Sequence, residues 1–145
     1  MKPELEKKLV EKYPKLLSRK DMSVRDSCMA WGMQHNDGWY NLLYNLLGTI
    51  QGYIRCNRKP QVEIDTIKEK YGSLRIYAYN TDDIVDGMIW FAEHLSYHIC
   101  EECGSMEDVA ASEGWIAVKC AKCWKKYHRR MWLKGIKYKL MFWRG

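Results

Sequence analysis

Apolar residues recur along this chain at two different periods, and the change of period divides it into elements. Leu5, Leu9, Val10 and Tyr13 form a stripe at helical spacing, which predicts an amphipathic helix over residues 3–17 that Pro14 ends or kinks. Residues 18–38 show no period, and Asn36-Asp37-Gly38 reads as a turn. Trp39, Leu42, Leu43, Leu46, Leu47, Ile50 and Ile54 then predict a second helix over about 39–55, with Asp37 placed to cap its start.

After Asn57 to Pro60 the period drops to two. Val62, Ile64 and Thr66 alternate with Glu63, Asp65 and Ile67, and Leu74, Ile76 and Ala78 alternate with Arg75, Tyr77 and Tyr79. With Tyr71-Gly72-Ser73 between the two runs, this predicts a β-hairpin whose outer face shows Lys68, Arg75 and Tyr77. A third helix is expected over about 82–97, with Val85, Met88, Ile89, Ala92 and Leu95 inward and Asp82, Asp83 and Asp86 in its first turn, where the helix dipole favours acids.

Two Cys-x-x-Cys pairs follow, Cys100/Cys103 and Cys120/Cys123, with sixteen residues between them. That spacing reads as a four-thiolate metal site, for which Zn²⁺ is the expected ion. Four thiolates close the coordination shell, so the expected role is structural, whereas catalytic zinc keeps a position open for water. Gly104 frees the backbone to turn, Trp115 to Val118 reads as a strand, and a helix carrying Trp124, Tyr127, Met131 and Leu133 is expected from Ala121. The whole predicts an α+β fold: a small helical domain on a short antiparallel hairpin (residues 1–99), joined to a treble-clef-like zinc lobe with a basic helix (100–145), the two packed as one unit.

Composition changes the picture in two ways. The chain is 145 residues long and 47% hydrophobic, enough for a real core, and it has seven Trp and ten Tyr against two Phe. These aromatics carry polar handles that suit half-buried positions and binding faces. No apolar run approaches the ~20 residues of a membrane span, and the first residues lack a signal-peptide core. A cytoplasmic location is expected, with reduced thiols rather than disulfides and no membrane partner; Cys28 and Cys56 then read as ordinary half-buried thiols.

The net charge of +6 is unevenly spread. Gly114 to Gly145 holds ten Lys or Arg and no acid, whereas the first 113 residues hold fourteen basic and eighteen acidic residues. Such asymmetry points to an anionic partner. Two groups are candidates. Lys125, Lys126, Arg129 and Arg130 share one helical face, with Trp and Tyr interleaved, and read either as a solvated amphipathic helix or as a grip on nucleic-acid phosphates. Lys68, Lys70, Tyr71, Arg75 and Tyr77 read either as an exposed charged hairpin or, with Trp39 as a stacking surface, as a nucleotide site. No nucleophile elbow, phosphate-binding loop or His-Glu-x-x-His motif is present, and a non-enzymatic role is expected.

Asp37-Gly38-Trp39 before a helix, Lys68-Glu69-Lys70-Tyr71-Gly72-Ser73-Leu74-Arg75-Ile76-Tyr77, and then Cys100-x-x-Cys103-Gly104, Gly114-Trp115 and Cys120-x-x-Cys123 resemble a family of small phage and prophage proteins. The likeness spans about residues 37–123, and the basic tail after Cys123 is longer than the family pattern requires. The resemblance implies a phage accessory protein in a bacterial host, with a counter-defence role. Two functions are therefore expected: capture of a phosphate-bearing ligand, either a nucleotide-derived immune signal or nucleic acid, or inhibition of a host defence protein as an adaptor.

Overall fold

A computed structural model describes residues 1–112 and 116–133. In chain order it contains α1 (Pro3–Lys12), α2 (Tyr40–Asn57), β1 (Glu63–Lys70), β2 (Ser73–Tyr79), α3 (Asp83–Ser96), β3 (Val109–Ala111), β4 (Val118–Cys120) and α4 (Ala121–Leu133). The class is α+β as the periodicity predicts, with two separate antiparallel hairpins, β1–β2 and β3–β4. The irregular stretch before α2 contains three short 3₁₀ turns, Ser18–Asp21, Cys28–Trp31 and Asp37–Trp39.

Tyr71 and Gly72 form the β1–β2 turn, both at positive φ (53° and 78°). Two such residues give the twist that suits a two-residue hairpin connection. The Gly72 N–H donates to Glu69 Oε1 at 2.7 Å, which ties the turn to the strand before it. Strand alternation predicts the β2 face correctly but fails on β1. The register shifts between Ile64 and Thr66, so Asp65 is an extra residue in the ladder. Such a bulge reverses the phase beyond it, and Ile64, Thr66 and Ile67 are all buried.

A two-stranded hairpin is marginal alone, and here both edges are covered. On the β1 side, Ile64 N–H donates to the Leu16 carbonyl, Gln34 N–H to Ile67 and Glu69 N–H to Gln34, at 2.8–3.0 Å. On the β2 side, α3 side chains accept the free amides: Leu74 N–H donates to Ser96 Oγ and Ile76 N–H to Glu93 Oε1. Leu43, Leu47 and Ile50 of α2, Val85 and Ala92 of α3, and Ile64, Ile67 and Leu74 of the hairpin close the core with Leu9, Leu16, Leu17 and Met29 from the N-terminal stretch.

Element ends differ from expectation for identifiable reasons. α1 stops at Lys12, because Pro14 cannot continue a helix and the chain turns to bring Leu16 to β1. Asp37 does not cap α2; its carboxylate accepts the Lys2 N–H and pairs with the Lys2 ammonium at 3.0 Å. Asp82 does cap α3, accepting the Val85 N–H at 3.1 Å. Cys28 and Cys56 are exposed, where half-buried thiols were expected.

Candidate metal centre and basic face

Four sulfurs converge at the start of α4. The Sγ atoms of Cys100, Cys103, Cys120 and Cys123 all lie within 4.8 Å of one another, with Cys103 and Cys120 at 3.7 Å. Thiolates at ~2.3 Å from one tetrahedral ion sit ~3.8 Å apart, so the spacing fits a shared metal. Backbone geometry prepares it. Gly104, at φ 79°, turns the chain back so that its N–H donates to the Cys100 carbonyl, while Cys100 N–H donates to Ser105. The Cys123 N–H reaches toward the Cys120 thiol and is the largest influence drawing it down to about 7. A knuckle, a short hairpin and a ligand pair at a helix start make the lobe treble-clef-like.

The segment Asn36 to Trp39 seats this knuckle on the core. Asn36 donates to Glu101 Oε1 from both its backbone N–H and its Nδ2, each at 3.0 Å. Gly38 N–H donates to the Glu101 carbonyl at 2.7 Å, and Trp39 Nε1 to the Ile99 carbonyl at 3.0 Å. Burial raises the Glu101 carboxyl above its usual range, against the Asn36 N–H bond that lowers it. On the other side, Gly72 of the hairpin tip packs against Ile116 and Val118; a Cβ there would lie 2.7 Å from Ile116 Cγ2. Hairpin, helix entry and metal lobe thus meet at one seam.

α4 leaves the seam with one side anchored. Trp124 Nε1 donates to the Ala110 carbonyl at 3.2 Å, and its ring stacks on His128 at 5.6 Å. Lys125, Lys126, Arg129 and Arg130 are exposed, as is Lys122, and none of the five forms an ion pair among the described residues. Tyr127 and Trp132 are exposed beside them. The further tail cations Lys134, Lys137 and Lys139 lie outside the described residues, as do Gly114 and Trp115.

The hairpin group is not assembled as expected. Trp39 is fully buried, because its ring fills the core beneath the knuckle and its indole N–H is bonded there, so it offers no stacking face. Arg75 is committed to α3: Nη1 lies 3.5 Å from Glu93 Oε2 and donates to the Leu74 carbonyl. Lys68 sits opposite Arg75 and lies over the Tyr77 ring at 5.6 Å, and Lys70 over the Tyr71 ring at 5.5 Å. Tyr71 and Tyr77 are exposed. The depression between Tyr53, Lys59 and Asp82 and the one between Glu6, Val10 and Trp31 are lined by none of these residues.

Compared with protein-family models, curated proteins and solved structures, the chain finds no match. The likeness to small phage proteins therefore stands on the quoted residues alone. No described helix is long and apolar enough to cross a membrane. One surface escaped the sequence reading: Ile84, Trp90 and Phe91 on the outer face of α3 are more than half exposed. Its signal was there, since α3 carries apolar residues on two sides and a helix needs only one for its own core.

Proposed function

We propose that the protein is a non-enzymatic phage accessory factor that binds nucleic acid through α4, which a structural Zn²⁺ holds in place. The supporting observation is the row of exposed cations Lys122, Lys125, Lys126, Arg129 and Arg130, none in an ion pair among the described residues, with Tyr127 and Trp132 exposed among them. Unpaired cations at helical spacing match a phosphate backbone, and aromatic faces beside them stack on unpaired bases. The alternative of a small nucleotide site at Trp39, Lys68, Lys70 and Arg75 has less support, since Trp39 lies in the core and Arg75 is held by Glu93. Zinc is the reading for the ion because four thiolates form a closed tetrahedral set, and its role is to orient α4. The counter-defence context comes from the resemblance to phage proteins.

Fluorescence anisotropy with single-stranded and duplex oligonucleotides tests this. Engagement of four cations predicts a log–log salt slope of about −3 on single strands. Replacing Lys125, Lys126, Arg129 and Arg130 by Gln should abolish binding while leaving the fold intact. Salt-independent binding, or none, overturns the reading. Elemental analysis of the purified protein should find one zinc per chain, and iron or no metal would refute that part.

A further inference from the structure

The outer face of α3 has no partner within the described chain. Ile84, Trp90 and Phe91 are 53%, 61% and 63% exposed, and Tyr97 is 38% exposed. Trp90 and His94 lie against each other with ring centroids 4.2 Å apart and planes tilted by 38°, and the edge-on contact of His94 with Tyr97 follows at 6.4 Å, the Tyr97 hydroxyl being turned to Ser73 and Arg75. The result is one continuous aromatic ridge along the helix. Contiguous apolar surface of this kind on a small domain marks an interaction site. Charge limits the occupant. From Ile76 to Val118 the sequence has no Lys or Arg, and Asp82, Asp83 and Asp86 gather at the helix start. Lys59 and Arg75, from outside this range, are engaged by Asp82 and Glu93, so the face offers phosphate no free cation among the described residues and is separate from the basic face of α4.

The ridge is complementary to itself. Two copies of α3 laid antiparallel across a two-fold axis between Trp90 and Phe91 place Trp90 against Phe91 of the second copy. One turn out, Gly87 meets His94; beyond that Ile84 meets Tyr97, and Asp83 meets His98. Each pairing suits its partners. Trp meets Phe, and the missing side chain at Gly87 leaves a notch for an imidazole. At the ends a carboxylate faces a ring nitrogen, and the acidic start of each helix lies beside the other's C-terminal end rather than beside its acidic start. Gly87 has no other evident use, because a Cβ there would meet nothing within 4 Å among the described residues. A glycine in an exposed helix interior weakens the helix, and a closely approaching second copy supplies a reason for it.

We infer that the α3 face is the interface of a two-fold symmetric homodimer. The inference is independent of nucleic-acid binding. Sedimentation velocity on the full chain, from low micromolar to several hundred micromolar, reads it directly. A monomer–dimer equilibrium is expected. Phe91→Lys should weaken it about thirtyfold or more, the size of loss found at central anchor residues. Gly87→Leu should fill the notch and abolish the dimer while raising the melting temperature of the monomer, so that lost association cannot be lost folding. Gly52→Leu, at a glycine of α2 equally open to space, should leave the dimer unchanged. A chain that stays monomeric throughout, or a dimer that persists in both Phe91→Lys and Gly87→Leu, overturns the inference.

Discussion

Gly38 and Gly104 face each other across the seam, backbone against backbone. A Cβ on Gly104 would lie 2.9 Å from the Gly38 carbonyl oxygen, and a Cβ on Gly38 would lie 2.6 Å from the Gly104 nitrogen and 2.1 Å from the Cys100 carbonyl oxygen. The contacted atoms are backbone of the knuckle, which cannot move aside without shifting its sulfurs. Gly38→Ala is expected to destabilise by about 3 kcal/mol, the upper part of the usual overpacking range. It should also weaken metal retention in a chelator competition. Gly87→Ala is the contrasting change, with a gain of about 1 kcal/mol in urea unfolding.

Removing the metal should act locally first. Cys103→Ser, or a strong chelator, is expected to open residues 100–133 while the core of α2, α3 and β1–β2 stays closed. Hydrogen exchange reads the difference: amides of the knuckle and α4 lose protection, and those of Leu47 and Ile50 keep it. Simultaneous loss in both regions would show that the lobe and core fold as a single unit.

His35 gives a pH signature. It is buried, its Nδ1 donates to the Asn36 carbonyl at 2.7 Å, and its Nε2 has no hydrogen-bond partner among the described residues. Burial lowers its pKa from 6.5 to about 4, opposed by the Asn36 bond. Between these values the unfolded chain takes up a proton that the folded chain refuses. Stability should therefore fall as pH drops from about 6.5 toward 4, by about 3 kcal/mol once both limits are passed. In His35→Phe this part of the pH profile should flatten. The comparison with wild type separates it from acid release of the metal.

Trp39 separates structure from binding. Trp39→Phe keeps most of the ring but removes the indole N–H and leaves the Ile99 carbonyl without its donor. A loss of about 1–3 kcal/mol in stability is expected, with nucleic-acid affinity unchanged. A fall in affinity without a fall in stability would return Trp39 to the binding site.

The parts legible from sequence were those written in neighbouring residues. The Tyr71-Gly72 turn, the helical stripes of α2 and α3 and the Cys-x-x-Cys pairs each carry their signal within a few positions. What was not legible depends on distant partners. The bulge at Asp65 inserts one residue without any Gly or Pro to announce it, and only the pairing with β2 reveals it. Trp39 before a helix looks the same whether it stacks on a ligand or fills a core, and the Ile99 carbonyl decides between them. Gly38 and Gly104 lie far apart in sequence, so their mutual requirement appears only when the chain is closed.

The seam also sets an order of events during synthesis. Asn36, Gly38 and Trp39 leave the ribosome long before Ile99, Glu101 and Gly104, and the sulfur set is complete only with Cys123. The hydrogen bonds that Asn36, Gly38 and Trp39 make to residues 99–101 must therefore wait for the C-terminal lobe. Until that lobe closes, an emerging chain carries an indole N–H without its Ile99 acceptor and an uncovered glycine at the entry to α2. Occupancy of the sulfur set would make metal supply a checkpoint on maturation, and a cell short of the ion would accumulate chains whose first helices are formed but whose seam is open.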